Sequence, residues 1–239
     1  MGDLVLRKEL AAGAFGVVYE CSSTDGETYA LKKVVGSVGT ATGELLCVAK
    51  GLHHPCLLAI QEAFLSGGSL CFRLALEAGT ELFDLAGALT QRDAVRVSLG
   101  LGDALRYMHR KGLVHRDCKP ENVIVHPDGS PVLVDLGSMR RAGCWAKVEG
   151  TRAYMAPEAE GKRFHLVRPS LDAWSLGATL CTAILGALVA SKQRAEVAAT
   201  KAAEAPLILR AAALMEEAEE LRPKVANFVD DLSFFGSHL

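Results

Sequence analysis

The chain has 239 residues, half of them hydrophobic, and a formal net charge of −2. That length and apolar content fit one or two compact units with real cores. The slightly acidic balance argues against a nucleic-acid-binding protein, which normally carries a basic excess.

Nowhere does a stretch reach the roughly 18 apolar residues of a membrane span, so no transmembrane segment is expected. The seven cysteines, at 21, 47, 56, 71, 118, 144 and 181, include no pair at metal-ligand spacing. They read as reduced thiols of a cytoplasmic protein, several of them core filler.

In chain order, the first part reads as strands. Leu4-Val5-Leu6 and Val17-Val18-Tyr19 flank Gly13-Ala14-Phe15-Gly16. A turn at Thr24-Asp25-Gly26-Glu27 precedes a strand from Thr28 to Val35. A short helix is expected near Glu44 to Leu52. Pro55 to Phe64 and Ser69 to Leu76 form an antiparallel pair around Ser66-Gly67-Gly68. A hinge is expected near Glu77 to Thr80, at Ala78-Gly79-Thr80.

The second part reads as helical. Thr90-Gln91-Arg92-Asp93 is a helix-capping signal, and Val97, Leu101, Leu105 and Met108 then repeat at helical spacing. Short strands near Val123-Ile124-Val125 and Val132-Leu133-Val134 enclose a turn at Pro127-Asp128-Gly129. From Leu171 the chain is mostly helix, including an Ala/Glu-rich run from Arg194 to Glu220. Pro223 suits a first helical turn, with Val225, Phe228, Val229 and Leu232 on one face.

The densest chemistry lies in His115-Arg116-Asp117-Cys118-Lys119-Pro120-Glu121-Asn122, followed by Asp135-Leu136-Gly137 and later by Ala156-Pro157-Glu158. Phosphoryl transfer from a nucleotide needs a carboxylate beside the attacking hydroxyl, a cation on the transferred group and oxygen ligands for magnesium. Any one of these triplets is a weak signal. All three in this order resemble a eukaryotic-type protein kinase from about Leu4 to Leu232.

The resemblance implies an α+β, bilobal fold in a single kinase domain spanning 1–239. Its β-rich N-lobe would cover about 1–76, its hinge about 75–80 and its helical C-lobe about 81–239. It also implies ATP and Mg2+ as cofactors and a protein substrate phosphorylated on Ser or Thr. In that reading Asp117 accepts or orients the hydroxyl proton, Lys119 neutralises the transferring group, and Asn122 and Asp135 hold the metal. Ala11, Gly13 and Gly16 form the phosphate-covering loop, Ala11 standing where the family has its first glycine. Val18 and Ala30 would roof the adenine, Ile124 would floor it and Leu74 would stand behind it. Backbone groups of Ala75 and Glu77 would meet the adenine edge, and Glu81 the ribose.

Lys32 would hold the α/β-phosphates with Glu44 as its partner. The span between them is shorter than usual, and Glu44 sits one residue off register relative to His54-Pro55. One residue on a helix is about 100° of rotation, so the ion pair is at risk, and the alternative for Glu44 is an exposed first-turn glutamate that favours the helix dipole. Leu136 replaces the usual Phe of its triplet. Glu158 would pair with Arg222, and Asp172 would hold the catalytic loop from within.

Lys119, two residues after Asp117, and Gly150-Thr151 mark the Ser/Thr type. Pro131 to Met139 is similar to the Numb-associated kinase group, especially its myristoylated-and-palmitoylated branch, without that branch's helical insertion. The alternative is a pseudokinase, a kinase-shaped binding module without turnover. From Met139 to Gly150 there is no Ser, Thr or Tyr, so activity is expected not to depend on phosphorylation there. Thr151 is expected to lie against Asp117 and Lys119. Lys147 would repel Arg116, and Trp145 and Val148 would hold the loop by packing. Glu149 is either a solvated loop residue or a permanent negative charge.

Overall fold

The computed structural model describes residues 5–13, 16–24, 26–36, 38–186, 206–216 and 218–236. Its N-terminal part is a five-stranded antiparallel sheet. The strands are β1 (Val5–Gly13), β2 (Gly16–Ser22), β3 (Thr28–Val34), β4 (Ile60–Ser66) and β5 (Ser69–Leu74), in the order β1-β2-β3-β5-β4. Period-two alternation splits β3 between two apolar clusters. Ala30 and Val34 pack with Ala41, Phe72 and Leu74 on one side. Tyr29 and Leu31 pack with Cys21 and Cys71 on the other. Lys32 shares the first face and pairs across the ladder with Phe72. A 3-10 turn at Val38–Ala41 leads into α1 (Thr42–Lys50).

After the segment 75–79 come β6 (Thr80–Glu81) and α2 (Gln91–Arg110). Thr90 caps α2, its hydroxyl accepting from the Asp93 N–H at 3.1 Å. Val97, Leu101, Leu105 and Met108 are fully buried. At about 1.5–3 kcal/mol each, that stripe contributes on the order of 6–12 kcal/mol before ordering entropy is subtracted.

Next follow β7 (Leu113–Val114), β8 (Val123–Val125) and β9 (Pro131–Leu133), with β6, β8 and β9 forming one small sheet. β10 (Arg140–Arg141) pairs with β7, and β11 (Trp145–Lys147) pairs with β12 (Phe164–Leu166). The last helices described are α3 (Pro169–Leu185), α4 (Pro206–Ala213) and α5 (Val225–Gly236). α2 packs between α3 and α5, and α4 packs on α3.

The two-part α+β architecture is the expected one. Local boundaries differ. β1 runs to Gly13, well beyond Leu6, because it pairs along the whole of β2. Residues 55–59 are loop rather than strand; β4 starts only at Ile60, opposite Leu74. Pro223 precedes its helix, which begins at Val225. Leu4, Ala14, Phe15, Asp25 and residues 194–205 of the Ala/Glu-rich run lie outside the described residues. Among the described residues no helix is long and apolar enough to cross a membrane.

Candidate active site

The cleft between the sheet and the helical part collects three charged side chains from distant sequence. Lys32 of β3 donates to Glu44 Oε1 of α1 at 2.5 Å and to Asp135 Oδ1 at 3.3 Å. Lys32 and Glu44 are buried. Burial alone would lower the lysine pKa, but Asp135 and Glu44 more than offset it and hold the ammonium above its usual range. Burial would raise the Asp135 carboxyl, and Lys32 holds it below its usual range. Both shifts favour the charged pair.

The pair at risk from residue counting therefore forms, and Glu44 is not an exposed first-turn residue. Gly43 allows α1 to press directly onto the backbone of the Asp-Leu-Gly triplet. A Cβ there would stand 1.8 Å from the Leu136 carbonyl oxygen. The 3-10 turn and this close approach absorb the short connection and bring Glu44 to Lys32. Leu136 itself is buried, filling the place of the larger aromatic residue.

The loop after β7 is shaped by a buried carboxylate. Asp172, in the first turn of α3, accepts from the His115 N–H at 2.9 Å and the Arg116 N–H at 2.8 Å, and contacts His109 Nε2 at 2.8 Å. Burial would raise its carboxyl, but His109, the nearby His115 ring and the Arg116 N–H hold it below the usual carboxylate range. Arg116 and Asp135 have φ of 75° and 54°, rare for residues with a Cβ. Such backbone persists where the surroundings over-determine it, and Asp172 does so at Arg116.

Asp117 is thereby presented at the cleft floor. Its Oδ1 accepts from the Thr151 N–H at 2.9 Å, and its Oδ2 from Asn122 Nδ2 at 3.2 Å. Lys119 Nζ lies 3.9 Å from Asp117 Oδ2 and donates to Thr151 Oγ1 at 2.9 Å. Thr151 thus stands where expected. Asn122 uses its amide nitrogen on Asp117, which leaves its oxygen as an acceptor. Asp135 commits Oδ1 to Lys32 and to the Gly137 N–H, at 3.4 Å. Two hard oxygens, Asn122 Oδ1 and Asp135 Oδ2, therefore remain, and they fit magnesium, which takes few protein ligands and completes its shell with phosphate and water.

Val18 is half-buried and packs with the buried Ala30 and Leu74, and Ile124 is half-buried in β8. The Ala75 N–H donates to the Ala59 carbonyl at 2.9 Å, so the backbone group that Ala75 can offer a base is its carbonyl. The Glu77 carboxylate contacts His126 Nε2 at 2.9 Å, and Glu81 lies in β6 opposite Ile124. Ala11 pairs with Val18 within the β1–β2 ladder. Gly13 closes the ladder with open space about it. Gly16 is required by packing: a Cβ would stand 2.4 Å from the Lys33 carbonyl oxygen.

The segment from Gly137 to Thr151 departs from expectation in two ways and decides between two readings at a third place. Trp145 is 72% exposed and does not hold the loop by packing, because β11 turns its side chain outward from the ladder with β12. Lys147 does not repel Arg116. Its side chain is exposed, and its carbonyl accepts from Arg116 Nη2. Of the two readings of Glu149 the charged partner holds: the side chain is half-buried, and its Oε2 lies 3.4 Å from Arg116 Nη1 and 3.1 Å from Arg140 Nη2.

Arg222 pairs with Glu158 at 2.7 and 3.1 Å, as expected, and its guanidinium lies 5.1 Å from the Trp174 ring centre. No local signal marks His109, Arg140 and His165, whose partners are 63, 9 and 49 residues away along the chain. Cys118, between Asp117 and Lys119, is fully buried and its thiol is pushed up to about 12 by burial, so it stays an inert filler.

Comparison with known proteins gives a family model, "Protein kinase domain", matching residues 4–234. CBL-interacting protein kinase 4 of Oryza sativa subsp. japonica is 33% identical over 207 residues, covering 79% of this chain and 45% of that protein. Calcium/calmodulin-dependent protein kinase type IV of Homo sapiens is 33% identical over 187 residues, covering 72% and 38%. Serine/threonine-protein kinase PknK of Mycobacterium tuberculosis is 31% identical over 194 residues, covering 75% and 17%. The chain thus spans less than half the length of these relatives.

Proposed function

This chain belongs to the protein kinase domain family, and from that premise we propose that it transfers the γ-phosphoryl group of ATP to Ser or Thr hydroxyls of protein substrates. The observation that carries the reading is the convergence of Lys32, Glu44 and Asp135 with Asp117, Lys119, Asn122 and Thr151 on one cleft. Phosphoryl transfer asks for positioning and charge neutralisation more than for covalent chemistry, and these are the groups that supply them.

Asp117 orients the substrate hydroxyl and takes its proton as the oxygen–phosphorus bond forms and the bond to the ADP oxygen breaks. Both its carboxylate oxygens are held by fixed N–H donors, and each keeps a lone pair free for the incoming hydroxyl. Lys119 neutralises the transferring group, and its bond to Thr151 ties it to the substrate side. Lys32, braced by Glu44, holds the α/β-phosphates. Asn122 and Asp135 hold magnesium, which when bound neutralises phosphate charge. Ala11, Gly13 and Gly16 cover the phosphates. Val18, Ala30, Leu74 and Ile124 enclose the adenine, Ala75 and Glu77 meet its edge through the backbone, and Glu81 meets the ribose. The lobes divide near residue 76, with 75–80 as hinge.

A cytoplasmic setting fits seven free cysteines, five of them buried. A place near the Numb-associated group rests on Pro131 to Met139 and on the distance of Trp145 before Pro157. The pseudokinase alternative rests on the missing first glycine at Ala11, the compressed region around Glu44 and the short stretch after Trp174, and the Lys32–Glu44 bond speaks against the second of these. The test is a set of peptides offering Ser, Thr or Tyr as the single hydroxyl, incubated with Mg-ATP. Transfer to Ser and Thr peptides well above Tyr is expected. Nucleotide binding without transfer to any of them would establish the pseudokinase reading instead.

A further inference from the structure

Arg116 carries a charge that water does not reach, its side chain being 1% exposed. A buried cation of this kind needs fixed partners. Its Nη1 donates to the Ser138 carbonyl at 2.9 Å and faces Glu149, its Nη2 donates to the Lys147 carbonyl, and His165 Nε2 lies 3.2 Å from Nη2. A second guanidinium crowds the same spot. Arg140 donates to the Gly137 and Met139 carbonyls at 3.0 and 2.8 Å and to Glu149.

Two arginines thus share one carboxylate, and no other Asp or Glu pairs with either of them among the described residues. That carboxylate ties together three places. Arg116 precedes Asp117 on the catalytic loop, Arg140 follows the Asp-Leu-Gly triplet, and Glu149 lies two residues before Thr151, whose N–H donates to Asp117 Oδ1. The anion is part of the chain, and residues 139–150 hold no hydroxyl to which a phosphate could be added. Ser138, just before them, is buried.

We propose that Glu149 is a positioning residue, a built-in anionic latch that holds the segment 137–151 in its substrate-accepting arrangement in the unmodified chain. Through Arg116 and Arg140 it fixes where Thr151 meets Asp117, so turnover needs no covalent modification of this segment. The proposal rests on the reading of Asp117 as the phosphoryl-transfer residue. The latch itself is a geometric claim that can be measured without turnover.

The experiment uses the full chain produced with a co-expressed phosphatase and shown by mass spectrometry to be unphosphorylated. The rate and the KM for peptide and for ATP are compared in the parent, Glu149→Gln and Glu149→Asp, and amide hydrogen exchange is followed over 138–151. The unphosphorylated parent is expected to be fully active. Glu149→Gln should lose about 10- to 100-fold in kcat, the scale of a 1 Å misplacement, with ATP KM within about twofold because Lys32 and Asp135 are untouched. Its 138–151 amides should exchange faster, and Glu149→Asp should fall between the two. A Glu149→Gln variant with parental kcat and parental exchange overturns the latch. So does a parent whose activity requires a phosphate mapped to this segment. A parent without transfer overturns the kinase reading alone, and the exchange comparison still decides the latch.

Discussion

Gly43→Ala places the smallest possible side chain where α1 touches the Asp-Leu-Gly backbone. Its Cβ would stand 1.8 Å from the Leu136 carbonyl oxygen and 2.8 Å from that of Gly137, whereas ordinary contact begins at 3.4 Å. Both obstacles are backbone atoms and neither can swing aside. Either α1 withdraws by roughly 1.5 Å or the triplet does. Each movement pulls Glu44 or Asp135 away from Lys32, whose bonds to them are 2.5 and 3.3 Å. Overpacking of this kind costs about 1–3 kcal/mol, which for a chain of this size lowers Tm by roughly 2–12 °C. A displacement near 1 Å at a catalytic group costs about 100-fold in rate. The assay is transfer of labelled γ-phosphate to a peptide beside a thermal melt. We expect a folded variant with a modestly lower Tm and a rate lower by about 100-fold. A variant with parental rate and parental Tm would refute the argument that the short link is accommodated by this contact.

Asp135→Asn should weaken magnesium-dependent nucleotide binding, since it removes both a metal ligand and a partner of Lys32. Calorimetry with and without magnesium measures the difference, and an unchanged magnesium requirement would count against the assignment. His165 is buried and beside Arg116, with Lys162 and Glu158 as further charges around it. Burial first, then Arg116, hold its pKa below the usual histidine range. The unfolded chain, titrating near 6.5, therefore binds the proton first. Stability from this group is complete above about pH 6.5 and is lost as pH falls through 6.5 toward the lowered folded value. His165→Gln should flatten the fall in Tm between about pH 7 and 5, leaving the part due to His54, which burial also lowers. Parallel profiles for the two proteins would remove His165 from the account.

The residues of the catalytic loop were legible because their chemistry is local. Asp117, Lys119 and Asn122 lie within one short loop, and the turn that gathers them is built from the same stretch. The stripe of α2 was legible for a similar reason, its period being set by the helix itself. The pairing of Lys32 with Glu44 was harder to see. Residue counting suggested a rotated helix, and only the close approach of Gly43 to a backbone 93 residues further on corrects it. The segment 137–151 was the least legible. Whether Trp145 faces in or out depends on its ladder with β12, and whether Glu149 is solvated depends on Arg116 and Arg140 converging on it. Those are long-range placements with no periodicity to betray them. The start of β4 was misjudged because Pro55 to Ala59 looks like strand in composition, although the ladder with β5 begins only at Ile60 and Leu57 makes just an isolated bridge to Leu133.

The most direct test of the central claim compares the parent with Asp117→Asn, each saturated with Mg-ATP, in transfer of the labelled γ-phosphate to a Ser/Thr peptide. Nucleotide binding should be retained in both, since in the proposed roles Asp117 meets the hydroxyl and Asn122 and Asp135 the metal. Transfer by the parent, and its loss by a factor of at least about 100 in Asp117→Asn, the lower end of what a general base contributes, is expected. Equal transfer by the two proteins would contradict it.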